Sequence, residues 1–134
     1  MESNNAIVCL TRGYKDLNKY KDLITRNVGI WSTINQQFKY PLVIFHEGNI
    51  PLFHQEYIIE KSMGQKIIFK DISNVWHGGY EGMCRFMIYD IWQECSEYDF
   101  VMRIDEDCIL QKIIYDPFDQ IKNSFCNYTT SVFW

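Results

Sequence analysis

Four short runs of mostly apolar residues divide the chain, and each run predicts a β-strand. The runs cover residues 6–11, 41–45, 66–70 and 100–104. They are nearly continuous and do not alternate with polar residues, which is typical of strands that are buried on both faces of a parallel sheet. Residues 128–134 are a candidate for one further strand at the end of the chain.

Between these runs, apolar residues recur at steps of three and four, which predicts helices. The first predicted helix covers residues 17–38, with Arg26 on its polar side and Gly29 expected to break or bend it. A weaker pattern covers residues 51–62. A strong one covers residues 80–95, with this apolar stripe: Tyr80, Cys84, Met87, Ile91 and Cys95.

Asp116 followed by Pro117 is typical of the start of one more helix, because proline is favoured at the first helical position. The alternation of strands and helices therefore predicts the α/β class, a sandwich with a mostly parallel sheet. With 134 residues, 47% of them hydrophobic, the chain is long enough for one domain with a core of its own.

Charge and cysteine content narrow the function classes. The net charge is −4 and the basic residues are scattered, so the chain is not predicted to bind nucleic acid. We find no membrane-spanning segment. The five cysteines have no C-x-x-C spacing, and we interpret them as core residues of a reducing, cytoplasmic compartment. There is no P-loop and no G-x-G-x-x-G motif.

Polar residues follow the predicted strands, where parallel sheets bind their ligands. They are expected to converge at one edge of the sheet: Thr11, Arg12, Gly13, His46, Glu47, Asp71, Asp105, Glu106 and Asp107. Asp105 and Asp107 are two apart, which would place both carboxylates on one face of an extended chain. A divalent cation, Mn²⁺ or Mg²⁺, would offset their repulsion and bridge them to substrate phosphates. The alternative is an acidic turn.

Three further side chains are candidates for ligand binding. Arg12 is a candidate phosphate or base ligand, and otherwise a surface charge. Tyr80 is a candidate to stack on a nucleotide or sugar, and otherwise part of the apolar stripe. Arg85 is also a candidate, although an ion pair with Glu81 explains it as well. Arg103, inside a strand, is expected to form a structural ion pair, and the histidines show no metal-ligand spacing.

Three segments resemble the fungal α-1,2-mannosyltransferases of glycosyltransferase family 15. They are residues 6–45, residues 79–86 (GYEGMCRF) and residues 98–118, which begin YDFVMRIDED and end YDPF. The second is similar to the family's Y-x-x-M-C-R-F helix, and the third to its Y-D-Y-x-W-R-V-E-P-D strand and Y-D-x-F sequel. This chain has Asp105, Glu106 and Asp107 where the family usually has E-P-D.

The resemblance implies a GT-A-like three-layer fold, incomplete here, with residues 1–134 as the donor-binding half and without the acceptor half. It implies GDP-mannose as donor, a glycan or glycoprotein acceptor and transfer with retention of configuration. Arg12, Tyr80, Arg85 and Asp105 are the implied nucleotide-sugar ligands, and Asp105 and Asp107 hold the metal, Mn²⁺ or Mg²⁺. The catalytic residues are expected beyond Trp134. The family operates in the Golgi or secretory pathway, in contrast to the cytoplasmic interpretation of the cysteines.

Two other functions fit parts of the pattern. The chain is alternatively a non-catalytic module that binds nucleotide sugars or carbohydrates. A metal-dependent nucleotidyltransferase would also use carboxylates on an α/β sheet. That reading ranks last, because the glycine-rich basic loop expected near the first strand is missing.

Overall fold

The computed structural model describes residues 4–108 and 116–122. Four strands in this part form one sheet in the order β3-β2-β1-β4, and every neighbouring pair is parallel. The strands are β1 (Asn5–Leu10), β2 (Leu42–His46), β3 (Ile67–Asp71) and β4 (Phe100–Arg103). The predicted parallel α/β sheet is confirmed, with strand ends that differ from the predicted ones by a residue. The candidate strand at 128–134 lies outside the described residues.

Alternate residues of the strands face two separate cores, which makes the fold a three-layer sandwich. Ile7 and Ile44 pack into the core that also holds Leu23 and Ile58 from the helices on that side. Ala6, Val8, Val43 and Phe45 face the opposite core, which Phe86, Ile91 and Cys95 complete. Both faces of the sheet are therefore covered by helices, as the apolar strands require.

The helices on the first face follow the predicted pattern with local changes. A 3₁₀ turn (Leu17–Tyr20) leads into α1 (Lys21–Ile30), and a π-helical turn (Trp31–Asn35) follows. The α1 helix continues through Gly29 without a break, and the wider π-helical turn begins after Ile30. The α2 helix (Leu52–Lys61) and α5 (Pro117–Lys122) are also present. Asp116 Oδ1 accepts the Phe118 N–H at 3.0 Å, which confirms the predicted helix start.

The predicted helix over residues 80–95 is divided in three. It consists of α3 (Gly79–Arg85), a π-helical turn (Phe86–Asp90) and α4 (Ile91–Glu94). The predicted apolar stripe is wrong at its first position, because Tyr80 is 77% exposed while Phe86 is fully buried. A π-helical turn inserts an extra residue into the helical ladder and so rotates the buried face along the helix.

The cysteines of the described part are free thiols, two of them in the core. Cys9 and Cys95 are buried, and burial raises the pKa of both, that of Cys95 to about 11. Cys84 is half-buried and Cys108 exposed, so only part of the set has the predicted core position. Among residues 4–108 and 116–122, none of the helices has the length and apolar character needed to span a bilayer.

Candidate functional site

A cleft of about 690 Å³ opens where β1 and β4 end, which is a size typical of small-molecule sites. Its lining comes from the ends of β1 and β4, from the residue after β2, and from α3 with the segment before it and the π-helical turn after it: Leu10, Thr11, Arg12, Glu47, Trp76, Gly79, Tyr80, Met83, Met87, Arg103, Asp105, Glu106 and Asp107. Most of the predicted strand-end residues thus meet in one place. Gly13, His46 and Asp71 are not among the lining residues.

Arg12 stands on the loop of residues 11–14, which we call the β1 loop. The loop begins in the sheet, because the Thr11 N–H donates to the Phe45 carbonyl at 3.0 Å. It continues at Gly13, whose N–H donates to Asn49 Oδ1 at 2.9 Å. A Cβ on Gly13 would lie 1.9 Å from the Asn49 carbonyl oxygen, so only glycine fits there. Arg12 itself is exposed to the cleft, with its guanidinium 6.0 Å from the Tyr14 ring.

Asp105, Glu106 and Asp107 form the other charged part of the cleft, which we call the acidic corner. The hydrogen bonds between β1 and β4 continue to the residue before the corner, where the Ile104 N–H donates to the Val8 carbonyl at 3.0 Å. The chain then turns, and the Cys108 N–H donates to the Asp105 carbonyl at 3.1 Å. Asp105 and Asp107 were predicted to share one face of an extended chain. That prediction is wrong, because β4 ends at Arg103 and Asp107 lies in a turn. Both aspartates still line the cleft.

Arg103 forms the expected ion pair, and its partner is Asp105. The Arg103 Nε atom lies 2.9 Å from Asp105 Oδ1, and the two side chains are about half exposed. A second contact joins Nη2 to Oδ2 at 3.4 Å. A predicted metal ligand is thus neutralised by an arginine of the same cleft, which reduces the repulsion between the carboxylates of the corner.

Asp105 and Asp107 have the donor chemistry of a site for a hard divalent cation. The described residues contain no group of three or more His, Cys, Asp or Glu arranged to hold a metal. A site for Mg²⁺ or Mn²⁺ needs fewer protein ligands than that, because one or two carboxylates combined with phosphate and water oxygens complete its shell. The corner therefore fits a cation that binds together with a phosphate-bearing ligand.

Glu106 has a role that the sequence did not indicate. Its carboxylate accepts a hydrogen bond from the Thr11 hydroxyl and a longer one, at 3.3 Å, from the Tyr14 hydroxyl. Burial and the negative charge of Glu106 raise the pKa of Tyr14. The sequence offered one indication of this role: Glu106 stands where the family 15 pattern E-P-D has proline.

Arg26 lies beneath the acidic corner and corrects the sequence prediction, which placed it on the polar side of its helix. It is 1% exposed, and its Nη1 donates to the Ile104 carbonyl at 2.7 Å. Its Nε and Nη2 donate to Asn27 Oδ1. Asn27 in turn donates to the Ser62 hydroxyl at 3.1 Å. A buried guanidinium thereby holds the peptide that directly precedes Asp105.

Tyr80 and Arg85 lie on different sides of α3. Tyr80 projects into the cleft beside Met83 and Met87. Arg85 lines a separate groove, where its guanidinium lies 5.7 Å from the Tyr89 ring and its Nε is 3.7 Å from Asp90 Oδ2. The helix ion pair weighed for Arg85 is thus formed with Asp90 in place of Glu81. The structure brings Arg12, Tyr80, Asp105 and Asp107 together and leaves Arg85 outside.

The buried histidines have structural partners. His46 Nδ1 accepts the Gly48 N–H at 3.1 Å, and burial lowers the pKa of His46. His54 Nδ1 lies 2.9 Å from the Tyr20 hydroxyl. His77 is exposed. In the described part of the chain none of them joins the acidic corner.

Solved structures with the same fold are fungal mannosyltransferases. Ktr4p from S. cerevisiae superposes with a TM-score of 0.71 at 18% identity, over 90% of this chain and 37% of that chain. The complex of Ktr4p with GDP superposes with a TM-score of 0.70 at 17% identity, over 90% of this chain and 38% of that chain. Core-mannan synthase A from Aspergillus fumigatus, in its Mn/GDP form, superposes with a TM-score of 0.68 at 15% identity, over 91% of this chain and 40% of that chain.

These similarities confirm, for the fold, the resemblance to fungal mannosyltransferases. The chain spans between 37% and 40% of the length of the structures that it matches. No model of a protein family and no curated protein matches the sequence.

Proposed function

We propose that residues 1–134 form the donor-binding half of a metal-dependent mannosyltransferase, with GDP-mannose as the nucleotide sugar and a glycan or glycoprotein as acceptor. The observation that carries this proposal is the convergence of Arg12, Tyr80, Asp105 and Asp107 in one cleft at the carboxyl ends of the strands. The fold shared with mannosyltransferases supports it, one of them in complex with GDP and one in a Mn/GDP form.

Each of these residues has a distinct role in the proposal. Asp105 and Asp107 hold Mn²⁺ or Mg²⁺, which when bound stabilises the charge that develops on the leaving diphosphate. Arg12 donates to phosphate oxygens from the β1 loop, next to the acidic corner. Tyr80 supplies a ring face for the base or the sugar. Arg103, which neutralises Asp105, lies in the same cleft as a further positive charge.

Binding of the donor and transfer of the sugar are separate parts of the proposal. The described cleft offers ligands for a cation and a diphosphate. We assign no catalytic nucleophile or base to it. Retention of configuration likewise rests on the family resemblance.

A non-catalytic module that binds nucleotide sugars is the second candidate. The specific observation in its favour is that the described cleft carries candidate cation and phosphate ligands, while we assign none of its residues as nucleophile or base. Both candidates require the same binding step, and turnover separates them.

The test is calorimetric titration of the chain with GDP-mannose, GDP, UDP-glucose and UDP, each with Mn²⁺ and with EDTA. We expect binding that is selective for the guanine nucleotides and that EDTA weakens on the order of 100-fold. Release of mannose to an acceptor or to water would favour the enzyme over the module. Absence of heat with all four ligands in the presence of Mn²⁺ would refute the donor site itself.

A further inference from the structure

We infer that Glu106 is a positioning residue that fastens the β1 loop to the acidic corner, and that it is not a ligand of the cation. The inference rests on the proposed function, since it concerns how the two charged parts of the proposed site are held together. Its evidence is the pair of hydrogen bonds that Thr11 and Tyr14 donate to the Glu106 carboxylate.

The position of these bonds in the chain matters. Thr11 and Tyr14 enclose Arg12 and Gly13, so the carboxylate closes over the loop segment that carries the proposed phosphate ligand. Glu106 itself stands between Asp105 and Asp107, the proposed cation ligands. One side chain therefore joins two segments that are more than 90 residues apart in sequence. Any shift of one segment changes the distance between the phosphate ligand and the cation.

Both oxygens of Glu106 are already engaged. Thr11 donates to Oε2 and Tyr14 donates to Oε1. A cation at either oxygen would have to share it with a hydroxyl donor, and Glu106 is half-buried. Asp107, in contrast, is exposed to the cleft and its carboxylate accepts no hydrogen bond from the described residues, while Asp105 is held by Arg103 at the cleft surface. Hydrogen bonds to an ionised carboxylate are stronger than those between neutral groups, so the hydroxyl donors compete with a cation for Glu106.

Two further hydrogen bonds hold the β1 loop in place, but neither of them reaches the acidic corner. Gly13 donates to Asn49, and the Tyr14 N–H donates to the Tyr20 hydroxyl at 2.9 Å. These bonds tie the loop to other elements of the same side, but among the described residues only the Glu106 contacts link it by side chains to the acidic corner. Removing the carboxylate should therefore loosen the loop relative to the corner while the sheet stays intact.

The first experiment needs no ligand. Hydrogen exchange of the Gly13 and Tyr14 amides is measured by NMR in the wild type, Glu106→Ala, Glu106→Gln and Thr11→Val. We expect about tenfold faster exchange in Thr11→Val, the effect of one lost hydrogen bond, and at least as large an increase in Glu106→Ala, which loses both. Glu106→Gln should stay close to wild type, because its amide can bond to both hydroxyls. Glu60→Ala, an exposed position on α2, is the matched control. Unchanged exchange in both Glu106→Ala and Thr11→Val overturns the inference.

The second experiment separates fastening from cation binding. The affinity for GDP at saturating Mn²⁺ is measured for the same variants and for the double variant Thr11→Val/Glu106→Ala, at a temperature where all are folded. We expect roughly tenfold weaker binding for each single alanine or valine variant and no further loss in the double variant. Glu106→Gln should bind within about threefold of wild type.

A cation ligand would behave differently. Glu106→Gln would then bind as weakly as Glu106→Ala, and Thr11→Val would bind like wild type. That pattern overturns the inference and leaves the proposed function in place. If the wild type binds no GDP with Mn²⁺, the proposed function fails, and the exchange experiment still decides whether Glu106 fastens the loop.

Discussion

The two walls of the cleft are built in different ways. The strand wall consists of the β1 loop, Arg103 and the acidic corner, and its side chains are charged or hydroxyl-bearing. The helix wall consists of Trp76, the α3 residues Gly79, Tyr80 and Met83, and Met87 of the π-helical turn that follows, and it carries rings and thioethers. A ligand between the walls would meet charge on one side and apolar surface on the other.

The walls also differ in what fixes them. Side chains of the strand wall are held by an ion pair between Arg103 and the nearby Asp105 and by the hydrogen bond from Thr11 to Glu106 in a distant segment. Beneath it, Arg26 holds the Ile104 carbonyl. Tyr80, on the helix wall, makes no side-chain hydrogen bond to the described residues and is 77% exposed. The strand wall is thus preorganised for charge, and the helix wall offers surface area.

This comparison predicts that substitutions in the acidic corner have the largest effect on binding. Asp105→Ala and Asp107→Ala should each weaken Mn²⁺-dependent GDP binding on the order of 100-fold, about 3 kcal/mol, because the cation loses a charged ligand. EDTA should produce the same loss in the wild type. The measurement is calorimetric titration, with the exposed Asp22→Ala on α1 as control.

The two aspartate variants should also differ from each other. Asp105→Ala releases Arg103 from its ion pair, and the freed guanidinium can then attract the diphosphate. In EDTA, Asp105→Ala should therefore bind GDP more tightly than Asp107→Ala. Equal affinities in EDTA would show that Arg103 has no contact with the nucleotide. An aspartate variant that keeps the Mn²⁺ dependence would place the cation elsewhere.

An intermediate effect is expected for Arg12, the proposed phosphate ligand of the strand wall. Arg12→Ala should weaken GDP binding by roughly tenfold to a hundredfold, the range for a hydrogen bond to a charged group. Arg12→Lys should restore part of it, since it keeps the charge but not the bidentate geometry. The exposed Lys19→Ala controls for net charge. A loss seen equally with guanosine would argue against a phosphate contact.

The sequence predicted the strands and the edge of the sheet well, because both depend on regular patterns. Continuous apolar runs demand burial on both faces, and parallel strands end on one side. That was enough to bring Arg12 and the aspartates to one cleft. The reasons for success are general properties of α/β sheets and need no knowledge of individual contacts.

Individual contacts were not predictable in the same way. Helical periodicity placed Arg26 on a polar face, yet its long side chain reaches under the acidic corner. No contact was predicted for Glu106, because the family pattern has proline at that position and so suggests no role for an acidic side chain. The pair Tyr80 and Arg85 was taken from one motif, but residues five apart on a helix differ by about 140° in direction, so only one of them faces the cleft.

The smallest effect is expected on the helix wall, where Tyr80 contributes only the face of its ring. Tyr80→Ala should weaken GDP binding by roughly threefold to tenfold, the range for one aromatic contact, and Tyr80→Phe by about twofold at most. Trp92→Ala, an equally exposed aromatic position of α4 outside the cleft, is the control and should bind as wild type. The readout is competition of unlabelled GDP against a fluorescent GDP analogue. If Tyr80→Ala loses as much affinity as Asp107→Ala, the distinction between a charged, fixed wall and an apolar, adaptable one does not hold.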